Sequence, residues 1–199
     1  MVWVYLNMDF QLPIYEDKIF DKEALASEKI TGKEFQSCTF KNCNLAESDF
    51  ANTKLLECVF EGCNLSMAKL TKTTMNDVVF KGCKLMGINF SVTQDFLFNV
   101  RFENCILDYS SFMDKKMPKT SFIKSTLKEV TFSRAILTGS MFDECDLNSA
   151  IFNQTDLTSV NFATAYNFII EPELNTIKKA VFSANSLAGL LTAYDIKIV

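Results

Sequence analysis

The chain has 199 residues, with 48% hydrophobic residues and a formal net charge of −4, which suits one domain or one elongated repeat body with an end piece. It contains 19 Phe and no His, so it lacks the commonest general base and the commonest metal ligand. Its mild acidity argues against direct binding to nucleic acid, which needs basic residues.

The N-terminal segment, residues 1–17, is predicted to form a strand and cap. Val2, Val4 and Leu6 alternate with other residues, as in a short strand. No basic region precedes an apolar core, and no apolar run approaches the ~20 residues that cross a bilayer. These features predict a cytoplasmic protein that does not contact a membrane.

From residue 18 to residue 165, a large apolar residue returns at every fifth position. Five is neither the helical period of 3.6 nor the strand period of 2, so the chain is expected to turn once per five residues. Every fourth central residue falls in the same column, which makes the true period 20 residues. The first two columns are Phe20, Phe40, Phe60, Phe80, Phe102, Phe122, Phe142, Phe162 and Leu25, Leu45, Leu65, Leu85, Leu107, Leu127, Leu147. Such columns predict a four-sided solenoid of about seven coils, roughly 34 Å long.

The period is interrupted once, at residues 91–96, by a two-residue insertion. After it the centres resume as Leu97, Phe102 and Leu107, with Phe102 back in the Phe column. The extra residues are therefore expected to bulge outward at one corner while the stack continues.

The residue two positions before each centre is small and should also point inward. All seven Cys occupy such sites: Cys38, Cys43, Cys58, Cys63, Cys83, Cys105, Cys145. A free Cys packs as a small hydrophobe, whereas a metal site needs converging, accessible ligands. The sequence thus predicts a packed thiol ladder, with no metal site and no cofactor.

The C-terminal segment, residues 166–199, departs from the repeat. Glu171-Pro172-Glu173 is typical of a helix start, which predicts a short α-helix through Lys179. A second apolar helical pattern follows, and residues 196–199 read as a terminal strand. The segment is expected to cap the last coil and to pair with a second copy, through Phe182, Leu187, Leu190, Leu191, Ile196 and Ile198.

The pentads carry a family resemblance. Segments 43–47 (CNLAE) and 150–154 (AIFNQ) resemble the pentapeptide-repeat pattern A/C/S/T/V-D/N-L/F-X-X. The resemblance covers roughly residues 18 to 165, and it implies an all-β fold, the right-handed quadrilateral β-helix.

The tail is similar to that of the Qnr-like and MfpA-like branch of this family. The similar stretches are 161–165 (NFATA), 170–183 (IEPELNTIKKAVFS) and Leu190-Leu191 before Asp195-Ile196. That resemblance implies a homodimer of end-to-end rods, resembling duplex DNA, that binds DNA gyrase or topoisomerase IV and protects it from quinolones. Typical Qnr proteins carry one or two long loops on the coil, whereas the interruption here is two residues long.

Acidic residues near the C-terminal coils form the first candidate site. Between Arg134 and Lys178 lie six acidic residues and no basic one. An acidic rod could occupy a groove that selects phosphate-like charge. The candidate partner-binding residues are Asp143, Glu144, Asp146 and Asp156. The alternative is an ordinary solvated surface.

The irregular corner is the second candidate. Asp95, before Leu97, and Lys115, one coil later, occupy inward small sites and should be stacked neighbours, with Phe96 and Phe98 exposed beside them. Departures from a strong local rule often mark function. The candidate residues are Asp95, Phe96, Phe98, Lys115 and Lys116. The alternative is a tolerated bulge whose residues turn outward.

Catalysis is the function class that the sequence disfavours most. It shows no phosphate-binding Gly-rich loop, no nucleophile elbow and no His for a triad. We therefore expect a non-enzymatic DNA mimic that binds a type II topoisomerase. The alternative is a pentapeptide-repeat scaffold or regulatory protein with an unrelated protein partner.

Overall fold

The computed structural model describes residues 12–197, and its regular structure consists of very short parallel β-strands and 3-10 helices. The strands are β1 (Ile14–Glu16), β2 (Ile19–Asp21), β3 (Glu34–Gln36), β4 (Thr39–Lys41), β5 (Lys54–Leu56), β6 (Val59–Glu61), β7 (Thr74–Asn76), β8 (Val78–Lys81), β9 (Val100–Glu103), β10 (Ser121–Ile123), β11 (Met141–Asp143), β12 (Asn161–Phe162) and β13 (Val181–Phe182). The 3-10 helices span Phe90–Val92, Pro172–Leu174, Ala184–Leu190 and Thr192–Tyr194.

The strands build two parallel sheets on adjacent sides of a four-sided coil. The Phe sheet has nine strands in the order β13-β12-β11-β10-β9-β8-β6-β4-β2, and a second sheet has the order β1-β3-β5-β7. Partners lie 20 residues apart, as in Phe40↔Phe60, and 22 apart across the insertion, as in Phe80↔Phe102. Single-residue parallel bridges hold the other sides. The predicted parallel β-helix is confirmed, with about eight turns and a length of roughly 38 Å.

Two columns of stacked aromatic rings fill much of the core. Phe122 and Phe142 stack with their ring centroids 4.7 Å apart and an interplanar angle of 2°. In the neighbouring column, Phe112 and Phe132 stack at 5.3 Å. Phe122 meets Phe132 edge-on at 5.9 Å and 84°. Stacked and edge-to-face pairs are both favourable beyond their buried area, so each ring is held along the rod and across it.

The thiols, and some of the hydroxyls, at the small inward sites hydrogen-bond the coil before them. The Cys63 Sγ donates to the Phe40 carbonyl oxygen at 3.3 Å. Hydroxyls in equivalent sites do the same: the Thr53 Oγ1 donates to the Ile30 carbonyl at 2.7 Å. The site therefore needs a side chain that is small enough for the interior, and a short donor satisfies a buried carbonyl there.

Parallel pairing extends past the predicted limits of residues 18 and 165. Tyr15 pairs with Phe35 at the N-terminal end, and Phe162 pairs with Phe182 at the other end. The predicted strand around Val2, Val4 and Leu6 lies outside the described residues.

The predicted α-helix from Glu171 through Lys179 is wrong. Only Pro172–Leu174 is helical, and residues 175–182 form a further side and strand of the coil. Thr176 bridges to Asp156, and Lys179 takes the left-handed corner conformation with φ 60°. Pairing with a finished coil satisfies more backbone groups than an isolated helix of this length, which is unstable by itself.

Asn175 makes this last pentad possible. Its Oδ1 accepts a hydrogen bond from the Thr155 amide at 2.9 Å, and its Nδ2 donates to the Phe152 carbonyl at 3.1 Å. In other coils the hydroxyl of a small inward residue, such as Ser125 or Ser140, accepts from the equivalent amide, so the Asn175 side chain takes over both the acceptor and the donor role of a small inward residue.

The end cap is helical, but of the 3-10 type. The predicted pattern containing Leu187 and Leu190 falls in the helix Ala184–Leu190. The predicted terminal strand is absent at Ile196 and Lys197, and its last two residues lie outside the described range. Within residues 12–197, no helix has the length and apolar character needed to cross a bilayer.

Candidate binding surfaces

The seven thiols are internal packing groups. All are free and buried. Burial raises the pKa of the Cys58 and Cys145 thiols to about 12, which suppresses the reactive thiolate at neutral pH. Across residues 12–197, no group of three or more His, Cys, Asp or Glu side chains is arranged to hold a metal ion.

The insertion changes which residue enters the core. The expected centre, Leu97, is 54% exposed and has φ 59°, whereas Phe98 is only 8% exposed and fills the column. Leu97 as a core residue and Phe98 as an exposed residue are therefore wrong predictions. Phe96 is 77% exposed, as expected. The physical reason is that residues 95–97 loop out together, so that the next inward side chain is one position later.

Asp95 and Lys115 are neighbours, but they do not share the interior. The Asp95 side chain is 68% exposed, so its predicted inward position is wrong. The Lys115 side chain is 1% exposed and crosses the interior toward the bulge. The Lys115 Nζ lies 2.7 Å from the Asp95 Oδ1, which confirms that the two irregular positions are adjacent.

Lys115 holds the bulge at several points. Its Nζ also donates to the carbonyl oxygens of Thr93 at 2.9 Å and Gln94 at 3.2 Å. The same ammonium lies 4.5 Å from the centroid of the Phe98 ring. A buried ammonium is tolerated only when charge and hydrogen-bond partners surround it, and here the bulge provides them. The alternative of an irregular stretch whose side chains all turn outward does not hold for Lys115.

Three of the four predicted acidic residues lie together. Asp143, at the end of β11, is followed by Glu144 at the corner and Asp146 on the next side. Lysines of the preceding coil partly neutralise this acidic corner: Lys124 lies 3.8 Å from Glu144, and Lys128 lies 3.4 Å from Asp146. The Lys124–Glu144 pair is exposed and contributes little to stability. The Asp146 side chain, by contrast, is only 11% exposed, and its Oδ1 also accepts hydrogen bonds from the Asn148 amide and the Asn167 Nδ2. Of the three carboxylates, only that of Glu144 belongs to an exposed residue, and both lysines reduce the local negative potential.

Asp156 is on another side of the rod. It bridges to Ile136 and Thr176, on the side that continues from the bulge. Hydrogen bonds from Thr158 and Thr138 hold the pKa of its carboxyl below the usual range. The 43-residue acidic run covers about two coils, so its charges point in several directions rather than forming one face.

The predicted dimerisation residues divide into core and surface. Phe182 stacks on Phe162 at 5.2 Å, and Leu190 packs against the core, so both are half-buried within one chain. Leu187 and Ile196 remain 44% and 55% exposed. Leu191 is half-buried, and Ile198 lies outside the described residues.

The cap itself is tightly docked on the last coil. The Ile170 amide donates to the Gly189 carbonyl at 3.0 Å. A Cβ at position 189 would collide with the backbone oxygen of Phe168, which a side-chain shift cannot relieve. The cap therefore has a fixed position on the last coil, and so do the exposed apolar residues that it carries.

Sequence reasoning missed a group of basic residues around the bulge. Lys72, Arg101, Lys116 and Lys119 are exposed, and none has an ionic partner within 4.0 Å in the described range. Only Lys116 had been singled out. The others are far apart in sequence, and their proximity depends on the 20- and 22-residue pairing offsets.

A family model for the pentapeptide repeat region matches residues 33–94 and 95–165, which is more than half of the chain. Comparison with curated protein sequences gives no match.

Among solved structures, the chain is similar to QnrB1, a plasmid-mediated fluoroquinolone resistance protein. One trypsin-treated form superposes with a TM-score of 0.70 at 14% identity, covering 94% of this chain and 98% of that one. A second trypsin-treated form gives a TM-score of 0.64 at 14% identity, with 94% and 97% covered. At this identity the likeness establishes the fold.

Lys115→Met should loosen the bulge without unfolding the rod. Asp95 is exposed and can be hydrated, but the buried Thr93 carbonyl loses its donor, so we expect the free energy of unfolding to fall by about 1–3 kcal/mol. The amides of Gln94, Phe98 and Asn99, which are hydrogen-bonded in the native fold, should exchange about tenfold faster in hydrogen-exchange mass spectrometry. The exposed neighbour provides the control, Lys116→Met, which should change neither quantity. Unchanged exchange in Lys115→Met would contradict the anchoring role.

Proposed function

The chain belongs to the pentapeptide repeat family, and on that premise we propose that it is a non-catalytic protein that occupies the DNA-binding groove of a type II topoisomerase. The targets are DNA gyrase or topoisomerase IV, as implied by the resemblance of the tail to the Qnr-like branch. The observation that carries the proposal is the acidic corner, on a rod whose fold is shared over 94% of the chain with a fluoroquinolone resistance protein.

The acidic corner has the local charge density that the proposal needs. Duplex DNA carries about one negative charge per 1.7 Å of its axis, which is about three charges over the ~4.8 Å height of a coil. Asp143, Glu144 and Asp146 supply three carboxylates in one coil. A basic groove could displace Lys124 from Glu144, because that ion pair is exposed and weak. The Asp146 carboxylate is nearly buried, so it adds its negative charge to the corner without being free to contact a partner fully.

A scaffold or regulatory role with an unrelated partner is the second candidate. It is favoured by the outward residues that follow the Phe column, which alternate in sign: Asp21, Lys41, Glu61, Lys81 and Glu103. Alternating charges at strand spacing stabilise pairing. Because the signs alternate, the outer face of that part of the Phe sheet is nearly neutral, whereas the surface of duplex DNA is strongly negative.

Neutralising the acidic corner should weaken the effect on a topoisomerase. The test uses Asp143→Asn/Glu144→Gln/Asp146→Asn in plasmid supercoiling by gyrase and decatenation by topoisomerase IV, each with and without ciprofloxacin. We expect the wild-type protein to alter the activity of at least one enzyme, and the concentration for half-effect to rise about tenfold in the variant.

The matched control for this assay is Asp17→Asn/Asp21→Asn/Glu28→Gln, which removes three exposed charges near the other end of the rod. It should behave as the wild type. No effect of the wild type on either enzyme at about 10 μM, or equal loss in both variants, would contradict the proposal.

We also propose that two chains associate through their C-terminal ends. Leu187 and Ile196 are exposed on the docked cap, and Val181 is exposed on the last strand beside it; a second copy is a self-complementary partner for such an end surface. In sedimentation velocity at micromolar concentration, the wild type should be a dimer and Leu187→Glu a monomer. Met67→Glu changes a side chain that is 59% exposed but lies about five coils before this end, and it should remain dimeric. A monomeric wild type would contradict the proposed dimer.

A further inference from the structure

The bulge exposes the most accessible large apolar side chain in the described range. Phe96 is 77% exposed, and Leu97 next to it is 54% exposed. A Phe left in water forgoes the favourable free energy of burial, whereas the other Phe side chains of the repeat region lie in the core. We call Phe96 and Leu97 the apolar tip.

The apolar tip is held in place from inside. The ammonium of Lys115 fixes the carbonyls of Thr93 and Gln94 and the carboxylate of Asp95, all immediately before the tip. Phe98, immediately after it, is buried beside the same ammonium. An exposed aromatic residue between two anchored points has little conformational entropy left to lose on binding, which favours its use as an interface anchor.

Positive charge surrounds the tip. The Lys72 amide bonds the Val92 carbonyl at 2.8 Å, which places this lysine at the corner before the bulge. Arg101 follows the bulge in β9, while Lys116 and Lys119 lie on the next coil of the same side. We call these four residues the basic rim.

Few carboxylates oppose the basic rim. Asp77 lies at a corner of the preceding coil, and Asp95 is paired with Lys115. Nearby Asp114 is also engaged, because Arg134 binds it through two nitrogens at 2.6 and 2.8 Å. The surface around the tip therefore has a net positive charge, opposite in sign to the acidic corner.

We propose that the apolar tip and basic rim form a second docking site, for an acidic protein segment that presents an apolar pocket or side chain to Phe96. The sign of the rim excludes a basic DNA-binding groove as the occupant, so this partner differs from the proposed topoisomerase. A flat anionic membrane fits less well, because Arg101, in β9, and Lys116 lie on adjacent sides of the four-sided coil, which a flat surface does not contact together. An aromatic side chain at the centre of a contact, with charged residues at its edge, matches the anatomy of protein interfaces.

The probe for this site is a display library of random twelve-residue peptides, selected on the full chain and followed by calorimetry with the synthetic recovered peptides. We expect recovered peptides to be rich in Asp and Glu and to contain Leu or Phe. Their affinity should fall about tenfold for Phe96→Ser and for Lys116→Glu/Lys119→Glu, and it should weaken with added salt.

Two matched variants control for exposed aromatic and basic residues in general. Tyr109→Ser removes an aromatic side chain that is 58% exposed on another side, and Lys22→Glu/Lys29→Glu reverses two exposed charges near the N-terminal end. Both should bind the peptides like the wild type. All variants should keep the wild-type circular dichroism spectrum and urea midpoint, since every changed side chain is exposed.

The proposal is overturned if no peptide is enriched, or if the enriched peptides bind Phe96→Ser as tightly as the wild type. Phe96-dependent binding to vesicles of phosphatidylcholine and phosphatidylserine, without peptide binding, would also overturn it in favour of a membrane surface. The variant with a neutralised acidic corner should bind the peptides normally, so this test and the topoisomerase test fail independently.

Discussion

A side of only a few residues cannot satisfy its own backbone amides and carbonyls, so every coil depends on the coils before and after it for hydrogen bonds. The Leu45 amide, for example, donates to Asn64, and the Asn44 amide donates to Glu23, each one coil away. Because partners are 20 residues apart, each side chain lies directly over its counterpart in the next coil. Like residues must then pack on like residues, which explains the stacked Phe columns and the thiols that bond carbonyls of the preceding coil.

The same constraint explains why the insertion is organised as it is. Two extra residues cannot be absorbed within a coil, because every later pair would lose its register. The chain instead loops out at residues 95–97 and returns with Phe98 in the core. The carbonyls that lose their ladder partners receive the ammonium of Lys115 instead. The irregularity thereby becomes a fixed surface feature, and repeat solenoids use their outer surfaces for recognition.

The regular part of the fold was predictable from the sequence because the 20-residue period recurs many times and places the same residue type in the same column each time. The Phe and Leu columns and the buried Cys sites follow from counting alone. The insertion was less accessible: a period shows that two residues are extra, but not whether Leu97 or Phe98 re-enters the core. That choice involves Lys115, a long charged side chain at an inward site that otherwise holds small residues, whose ammonium packs beside Phe98. The α-helix predicted in the tail is wrong because Glu171-Pro172-Glu173 is a typical helix-start pattern. The hydrogen bonds of the Asn175 side chain to the preceding coil, which favour a further side of the β-helix, cannot be read from the sequence.

Charge was the hardest property to read from the linear sequence. A run without Lys or Arg looked like one acidic face, yet the coil distributes it over several sides and places Asp156 away from Asp143. Lys124 and Lys128 come before the run but lie next to it in space. The basic rim was hidden for the same reason, since Lys72 and Lys119 are more than two coils apart in sequence order but flank one bulge.

Two deletions test most directly whether like-on-like stacking specifies the fold. Removing residues 120–139 deletes one whole coil and leaves Phe142 after Phe102 in the Phe column. Removing only residues 120–124 places Leu127 after Phe102 and mismatches every later coil. In urea, the variant that lacks 20 residues should unfold cooperatively. Its free energy of unfolding should exceed that of the variant that lacks five residues, although it loses more buried surface. A five-residue deletion as stable as the full chain would contradict the account.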